Sequence, residues 1–197
     1  MRKLAIVASL IAAVALTLVA AAALADHGGH GHGGNNFRAN LNGYNEVVGG
    51  PGASTGSVST TGHGRLTLRI FSDHIHYTLD YSDLTGGATC CSHIHFAQQH
   101  VSGGVSAFLC GGGDKPACTP TNGHFEGDID AADVIGPTDQ GIAPGELGEL
   151  VSAIRAGATY ANVHTTPSYP EGEIRGQIVR GHGGEGGHGD GGGHSGR

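Results

Sequence analysis

The sequence is short of positive charge. Its 197 residues include 10 Lys and Arg against 17 Asp and Glu, and two of the basic residues, Arg2 and Lys3, stand at the start of the chain. Nucleic acids and anionic membrane surfaces are bound through basic patches, which this composition does not supply. We therefore expect no nucleic-acid partner, and the acidic balance is typical of a protein that works outside the cytoplasm.

Several motifs of well-known enzymes and metal sites are also missing. The chain has no G-x-S-x-G turn, no P-loop and no dinucleotide-binding fingerprint. No two cysteines have C-x-x-C spacing, which argues against a zinc site made of thiolates. The acidic stretch 127–133 (GDIDAAD) lacks the glycine and the final glutamate of an EF-hand calcium loop. The residues alone therefore predict no catalytic group.

Only the N-terminus is apolar enough to enter a membrane. After Arg2 and Lys3, residues 4–24 are nearly all apolar, and the run ends in small residues. A basic start, an apolar stretch and an A-x-A site predict a secretory signal peptide over residues 1–25, cleaved after Ala25. The stretch is also nearly long enough to serve as an uncleaved anchor. Cleavage would give a secreted or periplasmic protein without membrane contact.

Two segments are built almost entirely of glycine, histidine and small polar residues. Residues 26–35 and 181–197 contain too few apolar side chains to form a core, so we predict that both are disordered tails. They flank a single domain at residues 36–180. Such tracts either chelate copper, nickel or zinc loosely or serve as soluble spacers. Their histidines are His27, His30, His32, His182, His188 and His194.

Apolar and polar residues alternate through most of the central domain. In residues 74–81 (HIHYTLDY) every second residue is apolar, which predicts a half-buried strand. Similar patterns predict strands at 37–42, 55–61, 65–71, 92–97, 105–110, 124–129, 159–165 and 172–179. Residues 146–157 (ELGELVSAIRAG) instead have helical spacing and predict one short helix. The expected fold is all-β, an antiparallel Greek-key sandwich or barrel with one helix.

The last predicted strand carries a pair of opposite charges. Glu173 and Arg175 are two residues apart, so their side chains project to the same face. We expect an ion pair that orders this strand and contributes under about 1 kcal/mol if it is exposed.

The four cysteines indicate disulfide chemistry in an exported chain. Cys110 and Cys118 flank a loop rich in glycine that can bring its ends together, and they are predicted to form a disulfide. Cys90 and Cys91 are adjacent, and a bridge between neighbours is strained and uncommon. The sequence leaves open whether this second pair is bonded, reduced or paired elsewhere.

A pair of histidines lies at alternate positions of a predicted strand. His93 and His95 project to one face, and two imidazoles so placed can share a metal ion. His164, on a late strand, is the best candidate for a third ligand, and His100 is a weaker fourth. By spacing alone a solvated or hydrogen-bonded pair is the commoner outcome. His74 and His76 have the same spacing, and for them we prefer the interpretation of a solvated or hydrogen-bonded pair.

Taken together, the motifs resemble the CHRD domain family, named for the domain repeated in chordin and found in exported bacterial proteins. The resemblance rests on FRANLNGYNEV (37–47), DLTGG (83–87), SHIHF (92–96), GGVSAFLC (103–110), GDIDAADVIGP (127–137) and AIRAGATYANVHT with EGEIRGQI (153–178). In chordin these domains belong to an extracellular antagonist of bone morphogenetic proteins. The resemblance implies an exported β domain and no established reaction, and the adjacent cysteines are not expected from it.

A fainter resemblance is to Cu/Zn superoxide dismutase, which also has a Greek-key barrel with an H-x-H strand and a late V-H strand. It implies copper ligation by His93, His95 and His164. The bridging histidine and zinc ligands of that enzyme have no clear counterparts, and Gly172 stands about where its guiding arginine would be. The leading hypothesis is therefore a binding protein for copper or zinc. The alternatives are a copper-dependent dismutase-like enzyme and a metal-free structural or adhesive domain.

Overall fold

The computed structural model describes residues 34–48 and 56–181. Within them the chain forms one antiparallel sheet, one α-helix and three short 3-10 helices. The strands are β1 (Asn36–Asn42), β2 (His63–Ile70), β3 (Ile75–Ser82), β4 (Gly87–Phe96), β5 (Gly104–Cys110), β6 (Gly123–Ile129), β7 (Thr159–Pro167), β8 (Tyr169–Gln177) and β9 (Val179–Arg180). The α-helix is α1 (Leu147–Arg155), and the 3-10 helices are Gly43–Asn45, Ala131–Asp133 and Thr138–Gln140.

The strand pairs follow from the alternation of apolar residues. β2 and β3 form a hairpin in which Leu66 lies opposite Leu79 and Leu68 lies opposite Tyr77. All four side chains are buried. Because successive side chains of a strand point to opposite faces, this register puts one apolar face of the hairpin into the core and leaves the other face polar.

The sheet curls into a nearly closed barrel. Its hydrogen-bonded strand order is β5-β4-β7-β8-β1-β2-β3-β6, with β9 pairing with β1. The two end strands, β5 and β6, contact each other. β4, β5 and β6 are thus consecutive neighbours and β7 returns to lie beside β4, which is a Greek-key arrangement. The predicted all-β class with one short helix is confirmed.

The helix α1 packs its apolar side against the barrel. Leu150 and Ile154 are fully buried in the core cluster. Arg155 in its last turn suits the negative end of the helix dipole, and Gly157 with φ +71° ends the turn that follows. The predicted interval of 146–157 contains this helix and extends beyond it by a residue or two at each end.

One predicted strand is wrong. In the described part of 55–61, Gly56 makes only an isolated bridge with Val48, and the rest is extended loop. The apolar residue of this segment, Val58, donates its N–H to the Gly43 carbonyl and buries its side chain. The segment is therefore held by contacts with the turn at Gly43 and with Glu173 on β8, and it adds no strand.

The predicted signal peptide at 1–25 lies outside the described residues, and so do nearly all of the two predicted histidine-rich tails. Among residues 34–48 and 56–181, no helix is both long enough and apolar enough to span a membrane.

Candidate metal centre

Three histidines come together on the outer face of the barrel. On β4, Ile94 points into the core, so His93 and His95 point outwards. On β7, Val163 is in the core and His164 points outwards. β4 and β7 are antiparallel neighbours, and their register brings the three imidazoles to one patch of the sheet. We call His93, His95 and His164 the histidine triad.

The geometry of the triad suits a shared metal ion. One ring nitrogen from each histidine lies within 4.8 Å of the other two. His93 Nδ1 is 3.2 Å from His164 Nε2. Ligands about 2.0–2.1 Å from one ion in tetrahedral or trigonal geometry are separated by about 3.3–3.6 Å. This pair is therefore already near the spacing that ligation requires.

Backbone carbonyls orient two of the three rings. His95 Nδ1 donates to the Gly103 carbonyl and His164 Nδ1 donates to the Pro170 carbonyl, both at 2.9 Å. With the proton on Nδ1, each ring directs the lone pair of its Nε2 towards the centre of the triad. Among residues 34–48 and 56–181, the buried His95 Nε2 makes no hydrogen bond, although the Asn162 side chain lies near the ring. Metal-binding histidines are commonly held through their second nitrogen in this way.

Burial keeps the triad neutral. The three side chains are 7, 7 and 8 % exposed. Burial, assisted by the neighbouring His164 and His95, lowers the pKa of His93 to about 3. Burial also lowers the pKa of His95 to about 4, against the opposing hydrogen bond to Gly103. It lowers the pKa of His164 as well. At neutral pH the three rings are thus uncharged, so an ion does not have to displace the proton of an imidazolium cation.

Aromatic rings and a guanidinium form the walls of the site. The ring of Tyr160 stacks on His95, with centroids 4.7 Å apart and planes within 6°. The guanidinium carbon of Arg175 lies over the Tyr160 ring, 3.4 Å from its centroid. Arg175 also donates to the carbonyls of Gln98 and Val101, which fastens the loop between β4 and β5 to β8. This stack limits how far the His95 ring can move.

A buried carboxyl lies at the edge of the site. Glu46 is 3 % exposed; its Oε1 accepts the Val47 N–H, and its Oε2 has no hydrogen-bond partner in the described part of the chain. Burial raises the pKa of Glu46 to about 7, against the opposing effects of that hydrogen bond and of the Arg175 charge. Glu46 Oε2 packs against Gly172, where φ is +132° and a Cβ would collide with the carboxyl. Gly172 thus makes room for this acid.

Sequence reasoning missed Tyr160, Arg175 and Glu46 as parts of the site. The alternation on β7 offered a signal for the tyrosine, because Tyr160 and His164 lie on the same strand face. No local pattern indicated Glu46, which reaches the site from the loop after β1.

The other histidines proposed or weighed as ligands lie elsewhere. His100 is exposed in the loop after β4 and does not belong to the triad. His76 pairs through its two nitrogens with Asp128 at 2.8 Å and Glu126 at 3.2 Å on the neighbouring strand. His74 contacts Asp73. The histidines of the two tails, His27, His30, His32, His182, His188 and His194, lie outside the described residues.

The predicted ion pair between Glu173 and Arg175 is wrong. Glu173 is fully buried and accepts hydrogen bonds from the N–H groups of Thr85 and Gly86 and from three threonine hydroxyls, those of Thr60, Thr85 and Thr165. Burial alone would raise the pKa of Glu173, but these donors outweigh it and lower the pKa. The carboxylate thereby joins two loops to β7 and β8 beside the triad.

The cysteines form one disulfide and one reduced pair. Cys110 and Cys118 are bonded. Cys90 and Cys91 are free thiols whose sulfurs lie 3.0 Å apart. Burial, together with the neighbouring Cys90, raises the pKa of Cys91 to about 12. Because metals bind the thiolate form of cysteine, this disfavours Cys91 as a metal ligand at neutral pH.

Comparison with known proteins identifies the family of the chain. A search of curated proteins found no match. The family model for the CHRD domain matches residues 37–178, which include all three residues of the histidine triad and both strands that position them. The match covers well over half of the sequence. The chain therefore belongs to the CHRD domain family.

Proposed function

We propose that this CHRD-domain protein binds one copper or zinc ion through His93 Nδ1, His95 Nε2 and His164 Nε2. The observation that carries the proposal is the convergence of three neutral, buried imidazoles, two of them oriented by carbonyls so that their free nitrogens face one point. A buried nitrogen lone pair without a donor is costly, as His95 Nε2 illustrates. An ion would satisfy all three nitrogens at once.

Copper is the preferred ion in this proposal. Imidazole nitrogen suits both copper and zinc, and neither thiolate nor carboxylate belongs to the triad. In a given nitrogen site, divalent copper binds more tightly than zinc. At equal free concentrations of the two divalent ions, the competition therefore favours copper.

Binding rather than turnover is the proposed role. Each triad histidine is under a tenth exposed. A substrate would have little room at the ion. The dismutase-like alternative therefore has less support than the binding role, and a superoxide assay on the copper-loaded protein discriminates between them.

We further propose that the protein acts outside the cytoplasm. Disulfides persist mainly in oxidising compartments, and the Cys110–Cys118 bond agrees with such a location. Fractionation of cells that produce the full chain, with detection in the external or periplasmic fraction, tests this part independently of metal binding.

Metal analysis of matched variants tests the metal site. The full chain is freed of metal, dialysed against copper(II), and its copper content is measured beside those of His95→Gln, His164→Gln and the control His76→Gln. Because all variants keep the same tails, tail binding cancels in the comparison. We expect either triad substitution to remove one copper per chain and the control to remove none.

Equal copper content in wild type and both folded triad variants would overturn the proposal. Thermal unfolding of each variant in chelator shows whether it is folded. Since glutamine is close in size to histidine and can occupy the same space, two independent triad variants keep the test valid if one of them misfolds. In that outcome the hydrogen bond between His93 and His164 would be the whole role of the pair.

A further inference from the structure

The adjacent cysteines lie at an irregularity of β4. In the pairing with β7, Thr89 lies opposite Thr165 and Cys91 lies opposite His164, so Cys90 is an extra residue on the β4 side. In a regular strand, neighbouring side chains point to opposite faces. Here the bulge brings the two sulfurs to 3.0 Å. Bulges of this kind often re-aim side chains beside functional sites.

The thiol pair adjoins the histidine triad. Cys91 is the cross-strand partner of His164 and stands two residues before His93 on the same strand. Cys90 Sγ lies 3.7 Å from the carbonyl oxygen of His164. The bulge thus places the thiol pair at the end of the triad, with the Cys90 sulfur in contact with His164 and Cys91 opposite His164 on the neighbouring strand.

The pair is set up for oxidation to a disulfide. Cys90 is exposed and Cys91 is half-buried, so the sulfurs can be reached from solvent. Their separation exceeds a disulfide bond of about 2.05 Å by about 1 Å. The other two cysteines of the chain are already bonded to each other, which leaves this pair as the thiols available to donate electrons within the described residues.

We propose that the Cys90–Cys91 dithiol reduces copper(II) held at the histidine triad to copper(I). This inference rests on the proposed function, because copper(II) at the triad is the oxidant. Two copper(II) ions, bound one after the other, each accept one electron. The two S–H bonds break, one S–S bond forms, and two protons pass to solvent. The products are two copper(I) ions and one disulfide per chain.

Proximity is the physical basis of this step. A thiol anywhere in solution reduces copper(II) slowly when the two meet at random, whereas here donor and acceptor belong to adjacent positions of two paired strands. Holding reactants together removes the entropic cost of their encounter. A vicinal pair also completes the two-electron oxidation within one molecule, without a second protein chain.

An anaerobic reaction with the full chain tests the proposal. The protein is prepared with two thiols that react with iodoacetamide and with the Cys110–Cys118 bond intact. Two equivalents of copper(II) are added, copper(I) is trapped with bicinchoninate, and remaining copper(II) is followed by electron paramagnetic resonance. We expect two copper(I) ions per chain and the loss of both thiols. In Cys90→Ser/Cys91→Ser, copper(II) should bind and keep its resonance signal.

The variant His164→Gln tests the role of the triad. With the thiols present and the copper position lost, we expect reduction to slow by about tenfold or more. An unchanged rate in this variant would overturn the proposal, because the thiols would then act on free copper. Bound copper(II) that persists in the wild type with both thiols intact would also overturn it, and would leave the proposed function standing. Failure of the wild type to bind copper at the triad would defeat both.

Discussion

Glu46 offers a quantitative test of the electrostatics around the site. Its carboxyl is 3 % exposed and its pKa is raised from 4.5 to about 7. A group whose folded pKa lies above its unfolded value stabilises the fold at low pH, and this stabilisation is lost as the pH rises through the folded pKa. At 1.36 kcal/mol per pKa unit, the shift corresponds to about 3 kcal/mol between pH 4 and pH 8.

The substitution Glu46→Gln removes this titration while keeping the size of the side chain and the acceptor for the Val47 N–H. We expect the variant to match the wild type near pH 4 and to exceed it by about 3 kcal/mol in free energy of unfolding at pH 8. Urea denaturation in the presence of chelator at both pH values measures the difference. Comparing the two proteins at each pH cancels the opposite contribution of the triad, whose low pKa values destabilise the fold in acid.

A variant that is less stable than the wild type at pH 8 would refute this reasoning. That result would mean that Glu46 is ionised in the folded protein and stabilised by the charge of Arg175. The ion pair with Arg175 would then lower the pKa of Glu46 by more than burial raises it.

Three further predictions concern the fold and the metal. Glu173→Gln should lower the free energy of unfolding by about 3 kcal/mol or more, because a buried carboxylate loses charge-assisted hydrogen bonds, as urea denaturation would show. Cys110→Ser should lower the free energy of unfolding by about 2.5 kcal/mol, since the bond to Cys118 closes a short loop, with a sequence separation of 8. Bound copper should be retained well below pH 6.5, because the pKa values of His93 and His95 are about 3 and 4; equilibrium dialysis from pH 7 to pH 4 measures it.

Each of these has its own control. Glu171→Gln, at an exposed acid two residues from Glu173, should leave stability within about 0.5 kcal/mol of the wild type. If Glu173→Gln were equally harmless, the hydrogen bonds around that carboxylate would contribute nothing. Addition of reductant should not further destabilise Cys110→Ser. Release of copper from the triad with a midpoint near pH 6.5 would show that its imidazoles titrate as exposed histidines do.

Local alternation was sufficient to predict most of the barrel. The apolar faces of β2 and β3, and the outward projection of His93 and His95, follow from a period of two residues, which is a property of the strand itself. The segment 55–61 is also predicted as a strand, but over its described length it makes only the isolated bridge between Gly56 and Val48. Alternation thus predicts which face of a strand is buried, and it cannot tell whether a partner strand is present.

The charged residues of β8 show the limit of such reasoning. Glu173 and Arg175 share a face, as predicted, but each contacts groups distant in sequence and not the other. Thr60 and Thr85 donate hydrogen bonds to Glu173, while the guanidinium of Arg175 packs on the ring of Tyr160. These partners are brought together by the closure of the barrel, which no local pattern contains.

The bulge at Cys90 was also beyond local prediction. Two adjacent cysteines on a regular strand would face opposite sides, and only the register of β4 against β7 reveals the extra residue. The pairing of these two strands, which are separated by more than sixty residues of sequence, determines both the thiol pair and the triad.

Copper-edge anomalous diffraction from crystals of the copper-loaded full chain tests the central claim most directly. The triad model predicts one strong peak about 2.0–2.1 Å from His93 Nδ1, His95 Nε2 and His164 Nε2. A map with no peak among these three nitrogens, in crystals that contain copper elsewhere, would contradict it.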